Sequence, residues 1–206
     1  DAAKRKQGGE LLGVVNAFSK KLMVLTYSLV GLKADVDFLI WRVGTSLEAL
    51  QEMSGAVRQT AMAGYLSMPH AYLSMTKRST YVDKLDPDHP DKRRFITPFR
   101  SRYLFVYPFV KTPEWYQLPF DQRQAMMDEH ITLGNKYKSV RIHTTYSFGL
   151  DDQEFVLAFE TDKPQDFLDL VQEMRESKAR PYTLRDTPIF TCVAKPMTGI
   201  LQEIGG

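Results

Sequence analysis

Cysteine is nearly missing from this chain: among 206 residues only Cys192 carries a thiol. That excludes an internal disulfide framework and a Cys-rich metal site, and it suits a reducing compartment such as the cytoplasm. An excess of charge is missing as well. Twenty-seven Lys and Arg stand against 25 Asp and Glu, a formal net charge of +2, too balanced for a chain built to coat nucleic acid or an anionic membrane. Long apolar runs are also absent. The most apolar stretch, Leu22 to Leu32, is broken by Thr26, Tyr27 and Ser28 and falls well short of the roughly 20 residues that span a bilayer, so a soluble chain is expected. There is no Gly-rich phosphate loop, Gly-x-Ser-x-Gly elbow, His-Glu-x-x-His pair or Cys-x-x-Cys motif, which removes support for most enzyme classes. The chain opens at Asp1 without a methionine, as a segment of a longer gene product would.

What the sequence does contain is enough apolar material, 43% with 12% aromatic, to fill one ordinary domain or two small ones. It also contains a duplication. Leu25 to Trp41 and Thr144 to Phe159 match at Tyr27 and Tyr146, Gly31 and Gly149, and Trp41 and Phe159, and Pro69 matches Pro188 further on, all at offsets of 118–119 residues. A nearly constant offset points to two copies of one supersecondary unit.

In the second copy, Tyr103, Phe105, Tyr107 and Phe109 share one face of a strand, with Leu104 and Val106 on the other. A helix is expected over 119–136, with Met126, His130, Leu133 and Tyr137 in line along it. Alternation over 140–146 gives a second strand, and the turn at Gly149 leads to a third over 154–160. Asp162 and Pro164 start a helix that buries Phe167, Leu170, Val171 and Met174, and residues 187–193 close the unit. This order, β-α-β-β-α-β, is a ferredoxin-like split unit.

The first copy supplies a helix over 10–21, hairpin strands over 22–29 and 36–43, a helix over 46–63 and a strand over 71–75. The offset places its opening strand upstream of residue 1, so that strand is expected to be missing from this chain or contributed by residues not numbered here. The organisation read from this is an N-terminal half over 1–80, a turn-rich, charged connector over 81–102, and a C-terminal half over 103–206. The fold class expected is α+β, duplicated ferredoxin-like units forming a dimeric α+β barrel-type fold.

Candidate chemistry is limited. His130 lies on the apolar line of its helix, and two readings are open: a core histidine satisfied by a backbone carbonyl, or an imidazole placed to ligate a haem iron from an apolar cavity. Tyr107 has an aromatic-strand reading that needs no chemistry. His89 falls in the connector, His70 precedes a short strand, and His143 reads as a surface or helix-facing residue. Arg175, Arg180 and Arg185 gather at the end of the second-copy helix; they either face solvent near its carbonyls or hold carboxylates through the guanidinium fork.

Tyr107-Pro-Phe-Val-Lys111, Glu114-Trp-Tyr116, Met127-Asp-Glu-His130, Phe148-Gly-Leu-Asp-Asp-Gln-Glu-Phe155 and Pro188-Ile-Phe-Thr191, taken together, resemble the chlorite dismutase-like superfamily of haem proteins, and within it the coproheme decarboxylases. The spacing of 23 between Tyr107 and His130 resembles the actinobacterial type. The resemblance implies an oxidoreductase of haem biosynthesis in which His130 is the iron ligand of haem or coproheme and Tyr107 is catalytic. Hydrogen peroxide would oxidise the iron, a tyrosyl radical would take a hydrogen atom from a propionate, and two losses of carbon dioxide would yield haem b. Arg175 matches a propionate-binding arginine; Lys111, Arg180 and Tyr72 are further cofactor-binding candidates. Chlorite dismutase or peroxidase-like chemistry is the alternative, and a non-catalytic haem-binding protein is a third. Ile142 stands where chlorite dismutases carry a distal arginine, and Ala179 where they carry a glutamate bonded to the proximal histidine; both departures count against chlorite chemistry. Actinobacterial members of that group place a distal histidine before the Tyr-Pro strand, and the nearest candidate here, His89, does not align with it once Thr97-Pro98 is matched. Family members assemble as rings, so a homo-oligomer, a homopentamer, is expected.

Overall fold

The computed structural model describes residues 2–81, 84 and 96–205. They group into two compact units, one made of the described residues up to 71 with those from 191 onward, the other of those between 72 and 190. Most of the connector, His89 included, lies outside the described residues.

In the first unit, α1 (Ala2–Phe18) precedes a hairpin of β1 (Met23–Ser28) and β2 (Phe38–Val43). The strands pair antiparallel, Met23 opposite Val43 and Ser28 opposite Phe38. α2 (Leu47–Arg58) starts where Ser46 accepts a hydrogen bond from the Ala49 amide at 3.2 Å, the usual N-cap arrangement. The C-terminal helix, residues 197–203, packs Met197, Ile200 and Leu201 with Leu11, Val15, Leu22 and Met53 in one buried cluster. His70 is paired with Asp35 at 2.8 Å.

The second unit begins its sheet with β3 (Tyr103–Lys111). Two helices follow, α3 (Pro113–Gln117) and α4 (Phe120–Lys136), then β4 (Arg141–Tyr146), β5 (Phe155–Thr161) and α5 (Pro164–Arg175). A short β6 (Thr183–Arg185) pairs with the end of β3; from residue 191 the chain belongs to the first unit again, through most of β7 (Phe190–Ala194) and the C-terminal helix α6 (Met197–Glu203). β5 lies between β3 and β4, with Tyr107 opposite Leu157 and Thr144 also opposite Leu157. The α+β class and the β-α-β-β-α order expected for 103–175 are both present. The matching hairpins of the two units each turn through a glycine of positive φ, Gly31 at 75° and Gly149 at 72°, a conformation open to glycine without steric cost.

Two expectations are corrected. The strand expected over 71–75 does not form: only Met75 makes a ladder-type bridge, to Tyr146. The rest of that segment is held from the β4–β5 hairpin, Leu73 donating its amide to Asp151 at 2.7 Å and accepting from Ser147 Oγ at 2.8 Å. Side-chain partners there replace a strand ladder. His143 is buried rather than at the surface, and its Nε2 lies 2.8 Å from Glu160 Oε2.

Glu160 is 0% exposed and also accepts the amides of Phe99 and Arg100, each at 2.9 Å. Arg100 is held at φ 56°, a left-handed conformation that a non-glycine residue keeps only where its surroundings fix it. Burial pushes the Glu160 carboxyl up, but His143 and the two amides outweigh it, and its pKa lies below the ordinary 4.5. A carboxylate favoured in its charged form contributes stability that is complete above the ordinary pKa and lost as pH falls through the lowered one. Glu160→Ala strands an imidazole and two amides and should cost about 3–5 kcal/mol in urea unfolding. Glu160→Gln should flatten the loss of stability below about pH 4.5. An unchanged urea midpoint in Glu160→Ala would contradict this assignment.

Candidate functional site

Pleat parity builds the site. Tyr107 and Phe109 on β3, Leu157 and Phe159 on β5, and Ile142 and Thr144 on β4 project from one side of the second unit's sheet. α4 and α5 close over that side and contribute His130, Leu170, Val171, Met174 and Arg175. Together they line an open cleft on that side of the sheet. Its walls continue through Ser177, Ala179, Arg180, Thr183, Asp186 and Lys111.

α4 carries His130 and Gly134 one turn apart, on the same helix face. A Cβ on Gly134 would lie 3.4 Å from Cδ1 of Ile142 and 3.7 Å from Cε of Met174, so the helix comes close to the sheet there, and His130 sits one turn back, in the wall of the cleft.

Tyr107 is buried, with its ring stacked on Phe159 at 5.5 Å and 17°. Burial raises its phenol pKa; Asp186 raises it further, and Arg175 and Arg180 oppose. The phenol therefore keeps its proton through the physiological range. Lys111 ends β3 where its register slips against β6. Its Nζ lies 4.2 Å from the centre of the Trp115 ring and 5.4 Å from that of Phe109, a cation–π setting, and donates to the Ala179 carbonyl at 3.4 Å. Burial lowers its pKa from 10.5 to about 8, with Glu154 opposing and Arg180 adding to the fall.

The arginines at the end of α5 converge. Arg175 and Arg180 both donate through Nη1 to Oδ2 of Asp186, Arg180 at 2.7 Å. Both arginines thus meet a carboxylate, each through Nη1, and that carboxylate is the protein's own. Arg185 on β6 is not part of this group.

Six of the seven residues singled out as site candidates, Tyr107, Lys111, His130, Ile142, Arg175 and Arg180, line the one cleft. Tyr72 does not; its ring packs 6.2 Å from that of Phe190. Asp186 is the residue that sequence reasoning missed. It follows the strand Thr183–Arg185 in a turn of ordinary composition, and only the folded chain brings it to Arg175. Arg141 is turned away from the cleft, its guanidinium 4.1 Å from the centre of the Phe99 ring, so among the β4 residues lining the cleft, Ile142 and Thr144, there is no cation.

The chlorite dismutase family model matches residues 4–195, and the chain belongs to that family. Coproheme decarboxylase of Mycolicibacterium smegmatis is 35% identical over 171 residues, a match covering 80% of this chain and 70% of that protein. Coproheme decarboxylase of Thermus thermophilus is 32% identical over 156 residues, covering 72% of this chain and 62% of that protein. Among solved structures, chlorite dismutase of Candidatus Nitrospira defluvii in complex with imidazole superposes with a TM-score of 0.88 at 26% identity, over 100% of this chain and 87% of that one.

The lowered pKa of Lys111 can be measured directly. In trace acylation followed by peptide mapping, Lys111 should titrate with a midpoint near pH 8, against roughly 10.4 for exposed lysines. Lys111 titrating with the exposed lysines would show that its amine is hydrated.

Proposed function

We propose that this chain binds coproheme through His130 and converts it to haem b by peroxide-dependent oxidative decarboxylation. The observation that carries this reading is one apolar cleft holding a tyrosine, a histidine and three cations, Lys111, Arg175 and Arg180. Those groups fit a macrocycle that is greasy in its plane and anionic at its rim. A single imidazole from α4 suits an iron already held by four porphyrin nitrogens. Arg175, Arg180 and Lys111 would receive propionates, the guanidinium forks pairing bidentately with carboxylates.

When bound, the porphyrin iron would supply, with hydrogen peroxide, the oxidising power that the side chains lack. Tyr107 is suited to hydrogen-atom chemistry. Its phenol is buried and stays protonated, so it yields its proton and an electron together and can then take a hydrogen atom from a propionate. The propionate leaves its carboxyl carbon as carbon dioxide and becomes a vinyl group, two electrons passing to one peroxide in each of two rounds. The apolar walls exclude water from that exchange.

Chlorite chemistry has less support. In the resemblance described above it calls for a guanidinium at position 142, where Ile142 lines the cleft, and a carboxylate at position 179, where Ala179 has only a methyl. Cytoplasmic residence fits the lone, buried Cys192, whose thiol burial pushes up to about 12. Among the described residues no helix is long and apolar enough to cross a membrane. Assembly as a homopentamer completes the proposal, and light scattering should give five times the mass of the chain.

Coproheme incubated with hydrogen peroxide should lose two carboxyl carbons in succession by mass spectrometry. Tyr107→Phe should slow this by about a hundredfold or more, equal to about 2.7 kcal/mol in the barrier. Undiminished turnover in Tyr107→Phe would remove the tyrosine from the mechanism, and oxygen release from chlorite by the wild type would favour the alternative activity.

A further inference from the structure

Resting on the reading of the cleft as a propionate-binding site, we propose that Asp186 is a built-in competitor for the carboxylate seat: it holds Arg175 and Arg180 together until a ligand carboxylate takes its place. Three observations converge on it. Asp186 lines the same cleft as Tyr107 and His130. One oxygen of its carboxylate, Oδ2, accepts from both guanidinium groups, so the geometry that would recognise an incoming carboxylate is already assembled around an internal one. The arginine side chains are 39% and 34% exposed and that of Asp186 is 17% exposed, so the triad sits at the mouth, where exchange with a ligand needs no opening of the core.

The charge balance gives the exchange its consequence. With Asp186 in place, the pair of arginines presents one net positive charge rather than two. A ligand carboxylate brought against them meets a like charge at close range, which weakens binding. A ligand rich in carboxylates can displace Asp186. Once decarboxylation has removed carboxylates, Asp186 recaptures the arginines and assists departure of the product. Asp186 thus acts as a specificity-determining residue that discriminates by the number of rim carboxylates, and it acts on binding rather than on the bond-breaking step.

The test uses metal-free coproporphyrin, which removes the iron–His130 bond from the measurement, and its uncharged tetramethyl ester as control. Binding is followed by quenching of Trp115, which lies beside Lys111. Asp186→Asn keeps the side chain's size and removes its charge. It should tighten coproporphyrin binding about tenfold, equal to about 1.4 kcal/mol, and leave the ester unchanged. Asp186→Ser, which removes the charge with a smaller side chain, should shift affinity in the same direction, and thermal melts establish that both variants fold. Weaker or unchanged binding of coproporphyrin by both variants, with the wild type still binding it, would overturn the competitor role and leave the proposed function standing. A wild type and variants that bind neither coproporphyrin nor coproheme would overturn both.

Discussion

Strand parity in the second unit is the constraint on which the rest depends. Along β3, β4 and β5, alternate residues must point to opposite sides, and the register pairs Phe105 with Phe159 and Ile142 with Phe159. One side thus gathers Tyr107, Leu157, Phe159, Ile142 and Thr144 under α4 and α5. The other receives Leu104, Val106, His143, Ala158 and Glu160. A slip of one residue in β4 would put His143 into the cleft and Ile142 where His143 now meets Glu160, undoing both at once. The buried His143–Glu160 pair therefore pins the register that the cleft requires, and the stacked rings of Phe105 on Phe167, 3.9 Å apart, tie α5 to the same side.

Electrostatics divides the cleft by depth. Its walls are aliphatic and aromatic, with the phenol of Tyr107 kept neutral by burial. Lys111, Arg175 and Arg180 supply its positive charge, and Asp186 sets how much of the arginines' charge is available to a ligand. The same low-dielectric setting that raises the tyrosine pKa lowers that of Lys111. A single environment thus favours a neutral phenol at Tyr107 and a cation at Lys111 whose charge depends on pH. Ligand recognition would be carried by the rim, and orientation by the walls.

Much of this was legible in the residues themselves. Period-two alternation located β3, β4 and β5 to within about two residues at each end, Pro164 marked the start of α5, and the line through Met126 and His130 brought α4 to the cleft. The motif resemblance selected the family. What stayed hidden was tertiary. Nothing about Asp186 in sequence distinguishes it from neighbouring turn residues, because its meaning comes from two arginines that reach it from other elements. His143 reads as a surface or helix-facing residue because alternation says which residues share a side, but not whether a further segment covers that side. Segment 71–75 reads as a strand because its apolar residues suit one, whereas Leu73's amide donating to Asp151 and its carbonyl accepting from Ser147 hold it in irregular form. Tyr72, a cofactor candidate by resemblance, belongs to that segment and packs on Phe190 outside the cleft.

Whether the imidazole of His130 meets the metal of a porphyrin within this cleft is read from absorption spectra during titration with coproheme. A one-to-one complex should form whose Soret band shifts on binding, a shift lost in His130→Gly and restored by added imidazole. An identical spectrum in wild type and His130→Gly, with no response to imidazole, would contradict it.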